Sequence, residues 1–336
     1  MFMSMKLNKP FIRLPYQFDA IRLAEEVNSL SSEAWMEHPS KLKGNSALAL
    51  ISRDAGDNDE FDGHMLCTPH LEKCDYIQQV MAGFGEVLGR SRLMQLAPGC
   101  EVSSHVDFNY HWYTRVRIHI PVVTNPDVQF YCGADSLHMA AGQCWIFDSW
   151  RRHNVVNNGS EARVHLVIDA AGSSKFWQMV RQMEALDNDA FSTEKAIKFT
   201  PYLAENSEQC KGGDKPVVQT ERYNISPVMS PGELEGLVEG VIADFEHNPK
   251  NDPALIGSYR EMLRSFGKDW RQLWLLYGYE KQGRPHYAAL INSVYKGLPP
   301  DRRALLTSSN DVGVNPVVVQ RILRAALYSE SNYSIG

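Results

Sequence analysis

The sequence predicts a mainly β core of jelly-roll type, with flanking helices and a small α-helical C-terminal domain. Three observations predict it. From Arg92 to Ala170 the apolar residues fall in short alternating runs, turn residues separate those runs, and on either side the apolar period returns to that of a helix. Many short strands at close spacing favour a closed or sandwiched β architecture.

Taken in order, residues 18–30 (FDAIRLAEEVNSL) place Leu23, Val27 and Leu30 on one helical stripe. Residues 75–89 (DYIQQVMAGFGEVLG) read as a second helix, weakened by three glycines. The strand runs are RLMQLAPG, TRVRIHIPVV, VQFYCG, CWIFD and ARVHLVIDAA. Pro98-Gly99, Asn125-Pro126, Gly133, Gly142 and Asn157-Asn158-Gly159 stand between them as turn material. SKFWQMVRQMEAL then puts Phe176, Met179, Val180 and Met183 on one helical face. Residues 204–220 are polar, glycine-containing and patternless, which makes them the predicted linker. The predicted domains are therefore 1–203, with a jelly-roll core at about 92–172, and a helical 221–336. Ser230-Pro231-Gly232-Glu233 is a capping box with proline at the first helical position, opening a helix through about Phe245. Trp270, Leu273, Trp274 and Tyr277 form a further apolar face, and Asn315-Pro316 starts a third helix reaching about Leu327.

Composition narrows the function classes. At 336 residues, 43% hydrophobic and 22% charged, the chain has the make-up of a globular protein with ample core. A formal charge of -6 without any Lys/Arg run argues against a nucleic-acid partner. No stretch approaches the roughly 20 apolar residues of a membrane span, and the start MFMSMKLNKPFIRLP lacks the apolar core of a signal peptide. Six cysteines (67, 74, 100, 132, 144, 210) form no CxxC pair, so reduced thiols and a cytoplasmic location are expected.

The chemistry concentrates at His105-Val106-Asp107, His153 and Arg163. Two imidazoles and one carboxylate suit ferrous iron and leave coordination positions open for other ligands. His-x-Asp on an extended strand points both side chains to one side, because the side-chain period is two. In TRVRIHIPV, Val116, Ile118 and Ile120 alternate with Arg115, Arg117 and His119. The charged face is either solvated or lines a pocket for anions, and Arg163 and His165 on ARVHLVID favour the pocket. A guanidinium fork matches the two oxygens of a carboxylate. Asn109, Tyr110 and Trp112 in FNYHWYT either line a substrate mouth, the favoured reading, or pack the barrel, and residues 45–53 (NSALALISR) are a candidate pocket wall. Asp148, in FDSWRRH, is either the acceptor behind a ligand histidine or a turn stabiliser. His165 has no demanded role, and His111 and His138 read as surface or turn residues.

The stretches RLMQLAPGCEVSSHVD, TRVRIHIPV, GQCWIFDSWRRHNVVN and ARVHLVID resemble the aspartyl/asparaginyl β-hydroxylase family of Fe(II)/2-oxoglutarate-dependent dioxygenases. That resemblance implies a double-stranded β-helix, Fe(II) held by His105, Asp107 and His153, and 2-oxoglutarate and O2 as co-substrates. It places Arg163 on the far carboxylate of 2-oxoglutarate, His119 beside the co-substrate, and Arg117 toward the primary substrate. Hydroxylation of an unactivated C–H bond, with release of succinate and CO2, is the implied reaction. The substrate class is an amino acid, a peptide residue or a related small carboxylate. Two departures matter. Asp107 is present where the vertebrate peptidyl members lack the carboxylate, which brings the chain nearer the bacterial proline hydroxylases. Met94 stands where those peptidyl enzymes use a serine to help hold the co-substrate. Two other classes compete: a cupin-like sensor that binds metal and dicarboxylate without turnover, and a zinc hydrolase with a bound water. The C-terminal helices carry no recognisable chemistry; covering the pocket, forming a homodimer and contacting a carrier protein are the roles open to them.

Overall fold

Alternation commits a strand to two faces, and in this fold both faces of the main sheet are covered. The computed structural model describes residues 7–37, 43–186, 196–199, 217–308 and 310–328. Its first strands are β1 (Phe11–Gln17), β2 (Met36–Glu37), β3 (Asn45–Arg53), β4 (Met65–Cys67), β5 (Leu88–Leu96), β6 (Cys100–His105) and β7 (Val116–Val123). There follow β8 (Val128–Cys132), β9 (Asp135–Leu137), β10 (Gln143–Phe147), β11 (His153–Asn157), β12 (Arg163–Ala170) and β13 (Ile197–Lys198). One sheet runs β13-β1-β10-β7-β12-β5-β3-β2, with β4 beside β3, and the other runs β6-β11-β8-β9. The run from β5 to β12 passes back and forth between them, so that β10-β7-β12-β5 and β6-β11-β8-β9 form the two walls of a double-stranded β-helix. The jelly roll is thus present, and it opens at Leu88 rather than Arg92.

Phe11, Leu96, Val128, Phe130, Cys132, Met139, Trp145 and Val155 form one buried cluster between the walls. Leu48, Leu93, Ile118, Ile120, Ile146, Leu166 and Ile168 are fully buried on the opposite face of the larger sheet. Helices close that face: α1 (Ala20–Ser29) packs against β7 and α2 (Asp75–Gly83), and, past the short α3 (Tyr110–Thr114), α4 (Ser174–Glu184) packs against β1. Asp19 caps α1 by accepting from the amides of Ile21 and Arg22. The second helix stops at Gly83, short of the predicted Gly89, because Gly85 takes φ 65° and turns the chain into β5.

Backbone contacts gather Leu7–His105 with Arg115–Asn224 into one compact unit, and Val106–Thr114 with Ile225–Gly336 into another. The predicted boundary at 203, residues 204–216 of the predicted linker and Cys210 lie outside the described residues. Residues 217–224 belong to the β unit, where Thr220 bridges Leu88 and Glu221 receives the Arg115 fork at 2.8 and 2.7 Å. The other unit is helical, with α5 (Pro231–Glu246), α6 (Pro253–Tyr277) and α7 (Arg284–Gly297). Ser230 caps α5 through its hydroxyl oxygen, which accepts from the Glu233 amide at 3.3 Å. Trp270 is fully buried, its indole N–H donating to the Met229 carbonyl at 2.9 Å. The last helical run is α at Val314–Val317, π at Val318–Leu323 and α again at Arg324–Ala326. Asn315 does not cap that run; its side chain accepts from Tyr259 Oη at 2.7 Å and donates to the Pro299 carbonyl at 2.8 Å.

Among the described residues Cys67, Cys74, Cys100, Cys132 and Cys144 are free thiols. Burial pushes Cys74 and Cys132 up to about 12, so neither is a thiolate near neutral pH. No described helix is long and apolar enough to cross a membrane.

Candidate active site

Antiparallel pairing brings the two histidines together. His105 ends β6, His153 begins β11, and the two are register partners with ring centroids 4.2 Å apart. Asp107 lies beyond the end of β6, so strand period does not set its direction. One ligand atom from each of His105, Asp107 and His153 nevertheless lies within 4.8 Å of the other two, and no other such group occurs among the described residues. His105 Nδ1 donates to the Ser103 carbonyl at 2.7 Å and His153 Nδ1 to the Arg151 carbonyl at 2.9 Å. With the proton held on Nδ1, each ring presents Nε2 as the lone-pair nitrogen, the arrangement typical of metal-binding histidine. Asp148 accepts from the Trp150 amide at 3.2 Å and from Arg151 Nε at 3.1 Å. It therefore shapes the turn that presents the Arg151 carbonyl to His153, which is the turn-stabilising alternative.

A ladder of rings leads inward from the pair. His153 lies 4.9 Å from Phe147, Phe147 5.1 Å from His119, His119 5.8 Å from His165, and His165 stacks on Phe130 at 5.2 Å. The Arg163 guanidinium closes the ladder, 5.0 Å from the centroid of the Phe130 ring. Strand register explains the grouping: His165 sits opposite Met94, and His119 opposite Val167 and Trp145. Arg163 is 5% exposed and has no acidic partner among the described residues. Burial holds it down to about 9. His119 and His165 are buried with both ring nitrogens lacking hydrogen-bond partners. Burial first, and then the neighbouring arginines, holds both well below the ordinary histidine range, so they are neutral near pH 7. A buried guanidinium and two neutral imidazoles without partners are what an absent dicarboxylate would satisfy. The residues present therefore fit both groups that the sequence pattern implies: a His-Asp-His donor set for Fe(II), and Arg163 with His119 and His165 for a carboxylate.

A second cluster lies on β5, β7 and β12. Arg90 and Arg92 both pair with Asp59, the former at 2.8 Å. Asp169 meets Arg117 at 3.2 Å and Arg90 at 3.7 Å. Among the described residues Arg90, Arg92 and Arg117 gather around Asp59 and Asp169, and the Arg117 side chain, at 16% exposure, is more open than those of Arg90 and Arg92. Beside this cluster Ala47, Ala49, Asp59 and Arg92 help line a cavity of about 170 Å³, so part of segment 45–53 is a pocket wall.

Other candidates fall elsewhere. Arg115 is buried and its fork is taken by Glu221, which gives it a structural partner. Asn109 caps the short α3, its side-chain oxygen accepting from the Trp112 amide at 3.0 Å. Tyr110 hydroxyl bonds to Glu233, and Trp112 is half-buried. His111 is buried rather than at the surface, while half-buried His138, just past β9, has Nδ1 3.0 Å from the Val128 carbonyl. His165 is the residue that the sequence reading undervalued; its place two residues from Arg163 on the same strand face was the available signal.

Residues 57–172 match the profile of the family described as Aspartyl/Asparaginyl beta-hydroxylase. Similar solved structures include an oxidoreductase of the 2OG-Fe(II) oxygenase family from Burkholderia pseudomallei. It is 15% identical, covering 48% of this chain and 84% of that one at a TM-score of 0.35. Another is a Pseudomonas putida prolyl-4-hydroxylase, 12% identical over 48% of this chain and 92% of that one, with a TM-score of 0.34. A cupin domain from Bordetella pertussis Tohama I is 18% identical over 24% of this chain and 79% of that one, at 0.20. No curated protein sequence matches the chain.

Proposed function

We propose that this chain, whose residues 57–172 belong to the aspartyl/asparaginyl β-hydroxylase family, hydroxylates a carboxylate-bearing small molecule or peptide residue with Fe(II) and 2-oxoglutarate. The enzyme class, a 2-oxoglutarate-dependent dioxygenase, follows from the family. The observation that carries the proposal is Arg163, buried without an acidic partner among the described residues on the same ring ladder as the His-Asp-His group. His105, Asp107 and His153 would hold the iron. Arg163, with His119 and His165, would hold 2-oxoglutarate. When bound, iron and 2-oxoglutarate supply the activation of O2 that is coupled to release of succinate and CO2. The protein's own residues orient and exclude. Arg163 fixes a carboxylate at the floor of the jelly roll, and the aromatic ladder keeps water from the space between. Oxygen-dependent succinate release from 2-oxoglutarate by the iron-loaded protein tests the reading, and its absence with iron bound would count against it.

For the substrate, the Arg117 guanidinium, more open than its neighbours Arg90 and Arg92, supports an anionic group beside it. Arg117→Ala is expected to raise the KM for substrate at least tenfold and to leave 2-oxoglutarate affinity within twofold, as read by substrate-dependent succinate release and direct titration. Equal loss of both would remove Arg117 from the substrate side. The free thiols support a reducing, cytoplasmic setting. The domain division proposed is a dioxygenase domain that includes residues 217–224 and a helical domain from Ile225 onward, in place of the start at 221 expected from the sequence. Exposed Leu275, Leu276, Tyr279 and Tyr295 support contact of those helices with a second copy or a carrier protein.

A further inference from the structure

We propose that Arg321, together with Glu233, is a positioning residue for the metal centre: the pair holds the segment that carries Asp107. The inference rests on the metal reading of that site. Asp107 follows the last residue of β6 by two positions, outside the strand itself. The residues after it form α3, five residues long, far below the length at which a helix holds itself. Val106–Thr114 is grouped with the helical unit.

Contacts within that unit hold the segment. Arg321 Nε donates to the carbonyl of Phe108, the residue next to Asp107, at 3.2 Å. The Arg321 guanidinium lies over the Tyr113 ring, 4.6 Å from its centroid. Tyr110 hydroxyl donates to the Glu233 carboxylate in the first turn of α5. The segment is thus held at 108, 110 and 113, on the residue after a ligand and across the whole of α3.

Arg321 is a costly choice for a residue needed only to fill space. It is 4% exposed, and burial lowers it to about 10 although Tyr113 and Asp244 pull the other way. An apolar side chain of similar volume in a core is usually as stabilising as a buried charge, or more so. Arg321 also lies in the π-helical turn Val318–Leu323, a rare conformation that is enriched at functional sites. A backbone carbonyl beside a metal ligand, gripped by a buried guanidinium, accounts for both features. Outer partners of ligands typically change metal affinity 10- to 100-fold when removed.

The test uses the full chain with Arg321→Met, Arg321→Lys and Tyr110→Phe. Anaerobic Fe(II) titration reads metal affinity, and amide hydrogen exchange of the metal-free protein reads residues 108–114. The expected result for Arg321→Met is an Fe(II) affinity about 10- to 100-fold weaker, with faster exchange at 108–114 and unchanged far-UV circular dichroism. Arg321→Lys, which can still donate to the Phe108 carbonyl, is expected to recover part of the loss. Wild-type affinity and wild-type exchange in Arg321→Met would overturn the inference. If that variant does not fold, Tyr110→Phe decides: weaker Fe(II) binding supports the inference and wild-type binding overturns it. A wild type that binds no Fe(II) would instead overturn the metal reading, and amide exchange would still report whether Arg321 holds the segment.

Discussion

Arg163→Met is expected to abolish 2-oxoglutarate binding and, at the same time, to raise the stability of the ligand-free protein. The two effects share one cause. Arg163 is 5% exposed, lies over Phe130, and has no acidic partner among the described residues. A guanidinium kept out of water without a counter-charge costs stability, and methionine of similar length removes that cost. We expect a gain on the order of 1–3 kcal/mol in urea unfolding of the ligand-free protein. The same change removes the bidentate partner of a buried carboxylate, a loss of about 2–5 kcal/mol, or roughly 30- to several-thousand-fold in affinity. Opposite signs for stability and binding are typical of a functional group held in an unfavourable place. A variant that loses stability yet still binds 2-oxoglutarate would show Arg163 to be a structural cation.

The second large effect concerns Glu221→Ala, at a position that carries no chemistry of its own. Arg115 and Glu221 are both buried, and their two parallel bonds measure 2.8 and 2.7 Å. Glu221 also accepts from Asn224 Nδ2 at 2.8 Å, and its backbone bonds to Leu88 and Met65. Removing the carboxylate leaves the Arg115 guanidinium buried without its fork acceptor, a loss of about 3–5 kcal/mol in urea unfolding. The double variant Glu221→Ala/Arg115→Met is expected to recover most of that loss, because it removes the buried charge as well. A single-variant cost under about 1 kcal/mol would mean that water reaches the pair. It also follows that a truncation intended to remove the helical unit must keep residues 221–224, or it will unfold the β unit it was meant to isolate.

Both cases show where reading the sequence stops. Strands β7 and β12 were legible because period-two alternation survives in them, and the His-Asp-His spacing was legible because ligand chemistry restricts residue type. Strand β3, in contrast, is buried on both faces, so NSALALISR shows no alternation and looked like a pocket wall alone. The polar CEVSSH of β6 stands outside the apolar strand runs, since its pairing with β11 comes from the backbone. Arg115, Arg117 and Arg163 are equivalent as letters. What separates them is that Glu221, 106 positions from Arg115, occupies one fork while nothing acidic among the described residues occupies Arg163. Arg321 is further still, 213 positions from the carbonyl it grips, and no local pattern signals a partner at that distance. His165 was legible by position but carried no demand until its buried, partnerless nitrogens were located in the structure.

The most direct test of the central claim is an anaerobic titration of the metal-free protein, first with Fe(II) and then with 2-oxoglutarate. It is followed by visible absorption in the wild type and in Asp107→Ala and Arg163→Met. The account predicts a charge-transfer band that appears only when both are present. It should be lost in Arg163→Met while Fe(II) still binds, and weakened in Asp107→Ala together with Fe(II) affinity. A wild type that binds Fe(II) but develops no band with 2-oxoglutarate would contradict it, leaving the buried Arg163 to be explained by another anion.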